Sequence, residues 1–293
     1  MHETVKPFAP RDVAALILIA VIWGVNNLAA KYAVQHVPPL FAAGVRFALV
    51  SVALVMWLRP VANWRLLVGV ALLSGPLHFG VQYVGLALAR DLTPMVIAMQ
   101  LWIPCSALFA ALWLKERIGW RRGAGIAAAF AGVIALAFDV SVMGQVGALL
   151  LVAAAAAAYG AAAVLVRRGD AIHPLTFQAW IALACWPTLS AAAGVFEPQA
   201  LAAARVAPWP VWAAIAFGAL ASSVIANALM FQLVQRYEVS RTTPFLFLSP
   251  IVAIGLGVVV LHDPITPQIV IGSALTIAGV ALAALAERRL ATR

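Results

Sequence analysis

The sequence predicts an all-α integral membrane protein with ten transmembrane helices, arranged as two inverted five-helix repeats around a central cavity. Three observations predict this fold. Hydrophobic residues make up 65% of the 293 residues and charged residues only 10%, whereas a soluble domain carries about 25% charged residues. The apolar residues form continuous runs long enough to cross a bilayer. The two halves of the chain also repeat the same motifs in the same order.

This composition excludes several classes of protein. The chain has too few polar groups to cover a water-exposed surface, which excludes a soluble enzyme, a nucleic-acid-binding domain and a disordered protein. We therefore attribute the net charge of +9 to basic loops that orient the helices in the membrane, and not to binding of nucleic acid. Cys105 and Cys185 both lie in long apolar runs, so we expect two buried thiols and neither a disulfide nor a zinc site. No cofactor or metal is expected.

Polar or Pro-rich breaks divide the chain into ten segments of about the 20 residues that a bilayer-spanning helix needs. The predicted spans are 12–34, 39–58, 64–88, 93–114, 120–138, 144–166, 174–193, 208–235, 242–261 and 267–286. Most connections are short, so consecutive helices are expected to be antiparallel neighbours. The first segment is longer than the apolar part of a signal peptide and is therefore counted as a span.

Lysine and arginine predict the orientation. With the N-terminus in the cytoplasm, fifteen basic residues fall inside and only Arg90 and Arg205 fall in outside loops. Cytoplasmic loops carry an excess of these residues. We therefore expect a multi-pass protein of a bacterial-type inner membrane, with both termini cytoplasmic.

An internal repeat divides the chain into residues 12–138 and 144–286. Near the end of each half, the order acid-x-Ile, Gly, Gly-Val recurs at an offset of 147. The two sets are Glu116, Ile118, Gly125, Gly132 and Val133, and Asp263, Ile265, Gly272, Gly279 and Val280. Five helices per half is an odd number, so the second half enters the membrane in the opposite orientation. The glycines are expected to permit close helix approach.

Helices 1 and 2 carry polar residues inside their apolar runs. Trp23, Asn26, Asn27 and Lys31 share one face of helix 1. They are interpreted either as interhelical hydrogen-bonding groups or as a strip that lines the substrate path, with Lys31 snorkelling to the outer interface. Arg46 lies on the order of 10 Å into helix 2. It could snorkel, pair with an acid of an outer loop or gate the cavity, and a structural or gating role is favoured over direct contact with the substrate.

Helix 3 carries His78 and Gln82 four residues apart, with Tyr83 beside them. These residues are predicted to form a wall of the cavity. His78 is the histidine placed to titrate near neutral pH inside a span. An equally weighted alternative is a neutral imidazole that is hydrogen-bonded to a neighbouring helix.

Helix 4 contains Met99, Gln100 and Trp102 just before Pro104. A proline inside a helix removes one hydrogen bond and kinks or loosens the helix. Pro250 occupies a similar place in helix 9. Breaks in corresponding helices of two repeats indicate a substrate site near the midplane.

The second half supplies further candidates for the cavity. Ser223, Asn227 and Phe231 form a stripe on helix 8, opposite helix 3. Tyr159 of helix 6 matches the tryptophan of helix 1, and Trp180 lies in helix 7 away from an interface position. Aromatic walls suit a substrate with an apolar or aromatic side chain.

These motifs resemble the EamA repeats of the drug/metabolite transporter superfamily over nearly the whole chain. The resemblance rests on Trp23-Gly24 with Lys31, Arg46-Phe47, Glu116 and the Gly-Val motifs. It implies ten helices, two inverted repeats and metabolite export. The superfamily that the chain resembles includes a branch that exports aromatic amino acids. The second repeat departs from the pattern at Asp263, where Glu is usual, and at Ala161–Ala163, which replace the asparagine pair of helix 1.

The sequence contains no Walker loop and no acid well inside a span, so neither ATP hydrolysis nor a carboxylate proton relay is expected. The favoured function is export of amino acids or related small metabolites by alternating access, uncoupled and down the substrate gradient. The alternatives are proton-coupled efflux through His78, a channel-like permease and a membrane-embedded lipid-modifying enzyme. The expected partners are the bilayer and a small-molecule substrate, and the protein is compatible with a monomer.

Overall fold

A computed structural model describes residues 8–167, 172–237, 242 and 245–291. These residues form helices joined by turns and loops, and no strand occurs among them. The main helices are α1 (Pro10–Val34), α2 (Pro39–Ala53), α3 (Trp64–Leu88), α4 (Thr93–Leu114), α5 (Trp120–Ala137), α6 (Val146–Val166), α7 (Pro174–Phe196), α8 (Trp209–Arg236), α9 (Leu248–Val260) and α10 (Pro267–Ala291). Short helices at Val55–Trp57, Val140–Met143 and Ala200–Val206 lie in the connections.

Seven helices of the described chain are long and apolar enough to cross a membrane: α1, α3, α4, α6, α7, α8 and the Pro267–Ala284 part of α10. The apolar helices α2 and α9 are shorter. Prolines fix several helix starts, because Pro39, Pro174 and Pro267 each occupy the first position of a helix, where the missing N–H costs nothing. The all-helical membrane architecture agrees with the sequence prediction. The predicted second span is too long, since α2 ends at Ala53 and a separate 3₁₀ turn follows.

The helices α5 and α10 pack with their backbones in close contact. Gly125 lies against Gly279 and Ala283, whereas Gly132 lies against Gly272 and Thr276. Residue numbers rise along one helix as they fall along the other, so the two helices are antiparallel. Their backbones touch because glycine presents no side chain at the contact.

The pair α2 and α7 is also antiparallel. Gly44 packs on Ser190, and the carboxylate of Glu197, just after α7, accepts hydrogen bonds from the N–H groups of Leu40 (2.8 Å) and Phe41 (2.9 Å). The end of α7 therefore caps the start of α2. Around these two pairs, α1 packs on α8 and α9, and α6 packs on α3 and α4.

Three irregularities recur in both halves of the chain. Both α3 and α8 contain a π-helical segment, at Leu73–Leu77 and Phe217–Ala226. Within the described residues, the two non-glycine residues with positive φ are Lys115 (56°) and His262 (58°), which end α4 and α9. The next residue in each half, Glu116 or Asp263, donates its backbone N–H back to its helix. Glu116 and Asp263 therefore each follow a residue in the left-handed conformation just after a helix.

Candidate functional site

Arg46 lies at the centre of a polar cluster formed by α2, α3 and α8. Its side chain donates from Nη1 to the Tyr83 hydroxyl (2.9 Å) and from Nη2 to Ser223 Oγ (3.0 Å). The residue is only 3% exposed. No ion pair of the described residues includes it. The expectations that Arg46 snorkels or pairs with an outer-loop acid are therefore wrong, because the guanidinium is enclosed by three helices and held by neutral groups.

Aromatic rings border the same guanidinium. Its Cζ lies 5.5 Å from the centroid of Phe79 and 5.7 Å from that of Phe47. Ring faces carry partial negative charge and stabilise a cation at this distance. These contacts lower the cost of burying Arg46 without supplying a counter-charge.

Two buried side-chain atoms beside Gly218, Arg46 Nε and Asn26 Oδ1, have no hydrogen-bond partner among the residues that the structure describes. A Cβ placed on Gly218 would lie 2.9 Å from Asn26 Oδ1 and 3.4 Å from Arg46 Nε. Both atoms thus border the same glycine of the π-helical segment of α8. Ser223, five residues further, donates to the carbonyl of Gly218 (3.1 Å) and completes this ring of polar groups.

The polar face of helix 1 does not act as one unit. Asn26 borders the Arg46 cluster, but Asn27 donates from Nδ2 to the carbonyl of Trp23 in its own helix (2.9 Å). Lys31 is 1% exposed, and its ammonium donates to the carbonyls of Leu86 (2.9 Å) and Ala89. The predicted snorkelling of Lys31 is wrong, because the carbonyls at the end of α3 offer buried acceptors within its reach.

His78 forms a second, mostly aromatic cluster with residues of α4 and α6. Its Nδ1 lies 2.8 Å from the carbonyl of Ala155, so this nitrogen carries the hydrogen and joins α3 to α6. The imidazole lies 4.9 Å from the ring of Tyr159, which meets Trp102 edge-to-face at 5.4 Å. Phe79 contacts both His78 and Phe47, which lies against Arg46, and so links the two clusters. The geometry corresponds to the interhelical interpretation of His78, and proton transfer stays a prediction.

The helix break before Pro104 lies beside this aromatic cluster. Gln100 and Leu101 form turns in which each N–H bonds to the carbonyl three residues earlier, at 3.0 and 3.1 Å. The helix resumes at Trp102, with Pro104 as its third residue. Pro250 is likewise the third residue of α9. Met99 packs half-buried against the core of the bundle.

The stripe on α8 extends from the Arg46 cluster toward the end of that helix. Asn227 donates from Nδ2 to the carbonyl of Ser223 (3.1 Å) and lies 3.5 Å from Gln178 Oε1 of α7. Phe231 lies two turns beyond Ser223, on the order of 12 Å along the helix, and contacts the ring of His173 edge-to-face at 4.6 Å.

Two further candidates do not join the polar cluster through a hydrogen bond. Trp180 donates from Nε1 to the carbonyl of Arg59 in the α2–α3 connection (3.1 Å). Gln82 is half-buried, and no hydrogen bond of its side chain is found in the part of the chain that the structure describes.

Polar contacts close the bundle at the end where Lys31 lies, which we call the Lys31 end. Asp263 Oδ2 accepts from the Thr93 backbone and hydroxyl, both at 2.7 Å, and ties α9 to α4. Gln145 donates to Asp91 (2.6 Å) and ties α6 to the α3–α4 connection. Asp139 accepts from Thr266 Oγ1 across the helix connections.

The pKa of Asp139, which lies between helices, combines opposing effects. Burial raises the pKa, but hydrogen bonds from the side chains of Ser141 and Thr266 and from backbone N–H groups outweigh burial and hold it below the ordinary value. These donors favour the charged carboxylate. The contact between the α5–α6 and α9–α10 connections is therefore strongest when Asp139 is ionised.

The opposite end, which we call the Asp12 end, is closed by ion pairs. Glu116 lies 2.6 Å from Arg167 and 3.5 Å from Arg122. Asp12 accepts from the Tyr237 hydroxyl at 2.7 Å and lies 3.5 Å from Arg236. Sequence reasoning found the Glu116 position through the repeat. It missed Asp12, because Tyr237 and Arg236, which tie it to the end of α8, lie more than 220 residues away along the chain.

Comparison with known proteins assigns the family. The model of the EamA-like transporter family matches residues 12–138 and 146–285. The chain belongs to the EamA-like transporter family.

Relatives of this EamA-like transporter include an uncharacterised transporter of Bacillus subtilis, YvbV, which is 26% identical over 93% of this chain and 92% of the relative. A protein of Escherichia coli named "Probable amino-acid metabolite efflux pump" is 24% identical over 92% of this chain and 93% of the relative. A solved crystal structure matches 97% of this chain and 99% of its own with a TM-score of 0.63 at 21% identity, which shows a shared fold.

Proposed function

We propose that this EamA-like transporter exports small metabolites, with amino acids as the favoured class. The observation that carries the proposal is the polar cluster around Arg46, which is buried in an otherwise apolar helical bundle. Ionisable residues inside membrane segments are costly and mark substrate pathways. The name of the Escherichia coli relative supports amino-acid metabolites. The rings of His78, Tyr159 and Trp102 favour apolar or aromatic side chains.

The proposed topology is ten spans in two inverted repeats, with both termini cytoplasmic. The antiparallel contacts of α2 with α7 and of α5 with α10 support this topology, because each pair joins equivalent helices of the two repeats. The packing of α1 on α8 and α9 mirrors the packing of α6 on α3 and α4. The Lys31 end would face outward. Its acids, Asp91, Asp139, Glu197 and Asp263, contrast with the arginine-rich Asp12 end.

The proposed mechanism is alternating access. Contacts close the bundle at both ends, and equivalent acids take part at each: Glu116 binds Arg167 at the Asp12 end, and Asp263 binds Thr93 at the Lys31 end. Breaking one set while keeping the other would open Arg46 to one side of the membrane at a time. Rocking of one repeat against the other is the usual way in which inverted-repeat transporters do this.

Transport is proposed to be uncoupled and to follow the substrate gradient. The described ion pairs involving acids lie at the helix ends, near Asp12 and Glu116, and the central cluster is built from neutral groups around Arg46. Proton coupling through His78 is the second candidate, since its buried imidazole contacts the central aromatic cluster.

Counterflow in proteoliposomes tests the function. Liposomes loaded with an unlabelled amino acid should accumulate the same labelled amino acid, aromatic ones first, with saturation and substrate selectivity. A panel of other metabolites, including sugars, amines and organic anions, defines the class. Absence of saturable uptake across the whole panel, in protein that remains folded after reconstitution, would overturn the transporter proposal for these substrates.

A further inference from the structure

We infer that Arg46 and Asn26 bind the charged head group of the substrate, Arg46 its carboxylate and Asn26 its ammonium group. The ligand class is therefore the zwitterionic α-amino acids. This inference rests on the proposed transport function and adds a binding site to it.

Arg46 has no counter-charge among the residues that the structure describes. Arginine stays protonated in proteins, and burial of a charge without a partner of opposite sign is costly. Tyr83 and Ser223 accept hydrogen bonds from Arg46 but are neutral, and Nε has no partner within the described part of the chain. No ion pair of the described chain reaches this side chain. A substrate carboxylate would supply the charge and suits the planar guanidinium fork.

Asn26 places an acceptor beside the guanidinium of Arg46. Within the described chain, Asn26 Oδ1 is an unpartnered buried acceptor and Arg46 Nε is an unpartnered buried donor, and both lie beside Gly218. The ammonium and carboxylate groups of an α-amino acid share one carbon atom, so a site for them needs an acceptor and a cationic donor side by side. Asn26 and Arg46 provide that pair.

A π-helical segment of α8 lies against these atoms. Gly218 and Ser223 both belong to the π-helical stretch Phe217–Ala226, and Ser223 bonds directly to Arg46. Such π-helical turns occur frequently at functional sites. Displacement of this stretch would release one hydrogen bond of the guanidinium and expose both unpartnered atoms, which a substrate then satisfies.

The repeat indicates a single head-group site in the protein. Pro39 and Pro174 open equivalent helices, and with these two aligned the counterpart of Arg46 in α7 is Ile181. The second half therefore supplies no matching cation, and one substrate head group is expected for each chain.

Equilibrium binding to the purified full-length protein tests the inference. The probes are L-phenylalanine, L-leucine, phenethylamine, which lacks the carboxylate, and 3-phenylpropionate, which lacks the amine. We expect the wild type to bind phenylalanine most tightly. Arg46→Gln should weaken phenylalanine by about 10- to 100-fold, as expected for loss of a charge-assisted hydrogen bond. It should not weaken phenethylamine, because the guanidinium repels the ammonium group of that ligand. Arg46→Lys should recover part of the loss. Arg205→Gln removes a charge from an exposed connection and is the matched control.

Asn26→Leu provides an independent arm, because it keeps the guanidinium and removes the acceptor. It should weaken phenylalanine and leave 3-phenylpropionate nearly unchanged. Equal phenylalanine binding by wild type and Arg46→Gln overturns the inference. So does absence of binding of phenylalanine and of L-leucine to the folded wild type. Counterflow separates the two proposals: transport of uncharged or cationic metabolites alone overturns the head-group site, whereas no transport of any metabolite overturns the proposed function.

Discussion

Gly132→Ala should destabilise the protein by forcing α5 and α10 apart. A Cβ at this position would lie 2.2 Å from Thr276 Oγ1 and 2.6 Å from both the carbonyl oxygen of Gly272 and the backbone nitrogen of Thr276. Two of these atoms are backbone, so a change of side-chain rotamer cannot relieve the overlap. The helices must instead separate by roughly 0.5–1 Å, a gap that forfeits a quarter to a half of each dispersion contact along the seam.

The expected magnitude is the difference of two effects. Overpacking of this kind costs about 1–3 kcal/mol, whereas replacing glycine by alanine inside a helix gains about 0.5–1 kcal/mol. The net loss therefore lies between about 0 and 2.5 kcal/mol, with a central value of about 1 kcal/mol. Gly279→Ala, whose Cβ would lie 2.4 Å from the backbone nitrogen of Ala129, should show a similar loss.

The assay is thermal unfolding of the purified protein in detergent, followed by tryptophan fluorescence. Gly69→Ala in α3 is the matched control, because a Cβ there meets nothing within 4 Å. It should leave the Tm unchanged or raise it slightly, while Gly132→Ala lowers it by several degrees. Equal Tm values for Gly132→Ala and Gly69→Ala would refute the close antiparallel contact of α5 and α10.

Three further predictions concern Asp139, Lys31 and His78. Because the pKa of Asp139 is lowered in the folded protein, its carboxylate stabilises the fold fully above the ordinary Asp pKa, and this stabilisation disappears as the pH falls through the lowered value. Asp139→Asn should therefore reduce the Tm at pH 7 and make the Tm less dependent on acid pH. An unaltered dependence of the Tm on pH would contradict this prediction. Lys31→Met removes the hydrogen-bond donor to the carbonyls of Leu86 and Ala89. It should lower the free energy of unfolding by about 1–3 kcal/mol, measured by thermal unfolding. A variant as stable as the wild type would show that the buried ammonium contributes nothing to stability. An imposed pH gradient should leave the rate of net amino-acid flux unchanged, and acceleration that is lost in His78→Ala would favour proton coupling.

Local sequence determined the helices and some helix ends, but not the partners of the buried polar groups. Pro39, Pro174 and Pro267 open α2, α7 and α10 where expected, because the proline ring acts on its own backbone. The sequence predicts Lys31 at the lipid interface, because the hydropathy of α1 contains no information about neighbouring helices. In the folded chain, the end of α3 places two carbonyl groups next to the ammonium group of Lys31.

The burial of Arg46 among several helices could not be predicted from the sequence either. The distance of Arg46 from the end of its own helix was estimated well, but its enclosure depends on α3 and α8, which contribute Tyr83 and Ser223. The repeat alignment nevertheless identified Glu116 and Asp263 as equivalent acids, because both follow the same left-handed turn at a helix end.

The concentration dependence of flux tests the central claim, a carrier that alternates around one buried site, most directly. Initial rates of labelled phenylalanine efflux from proteoliposomes should saturate with internal substrate and should rise when unlabelled phenylalanine is added outside. Both effects should be strongly reduced in Arg46→Gln and preserved in Arg205→Gln. A flux that increases linearly without saturation, with no stimulation from the opposite side, would contradict alternating access and indicate a channel.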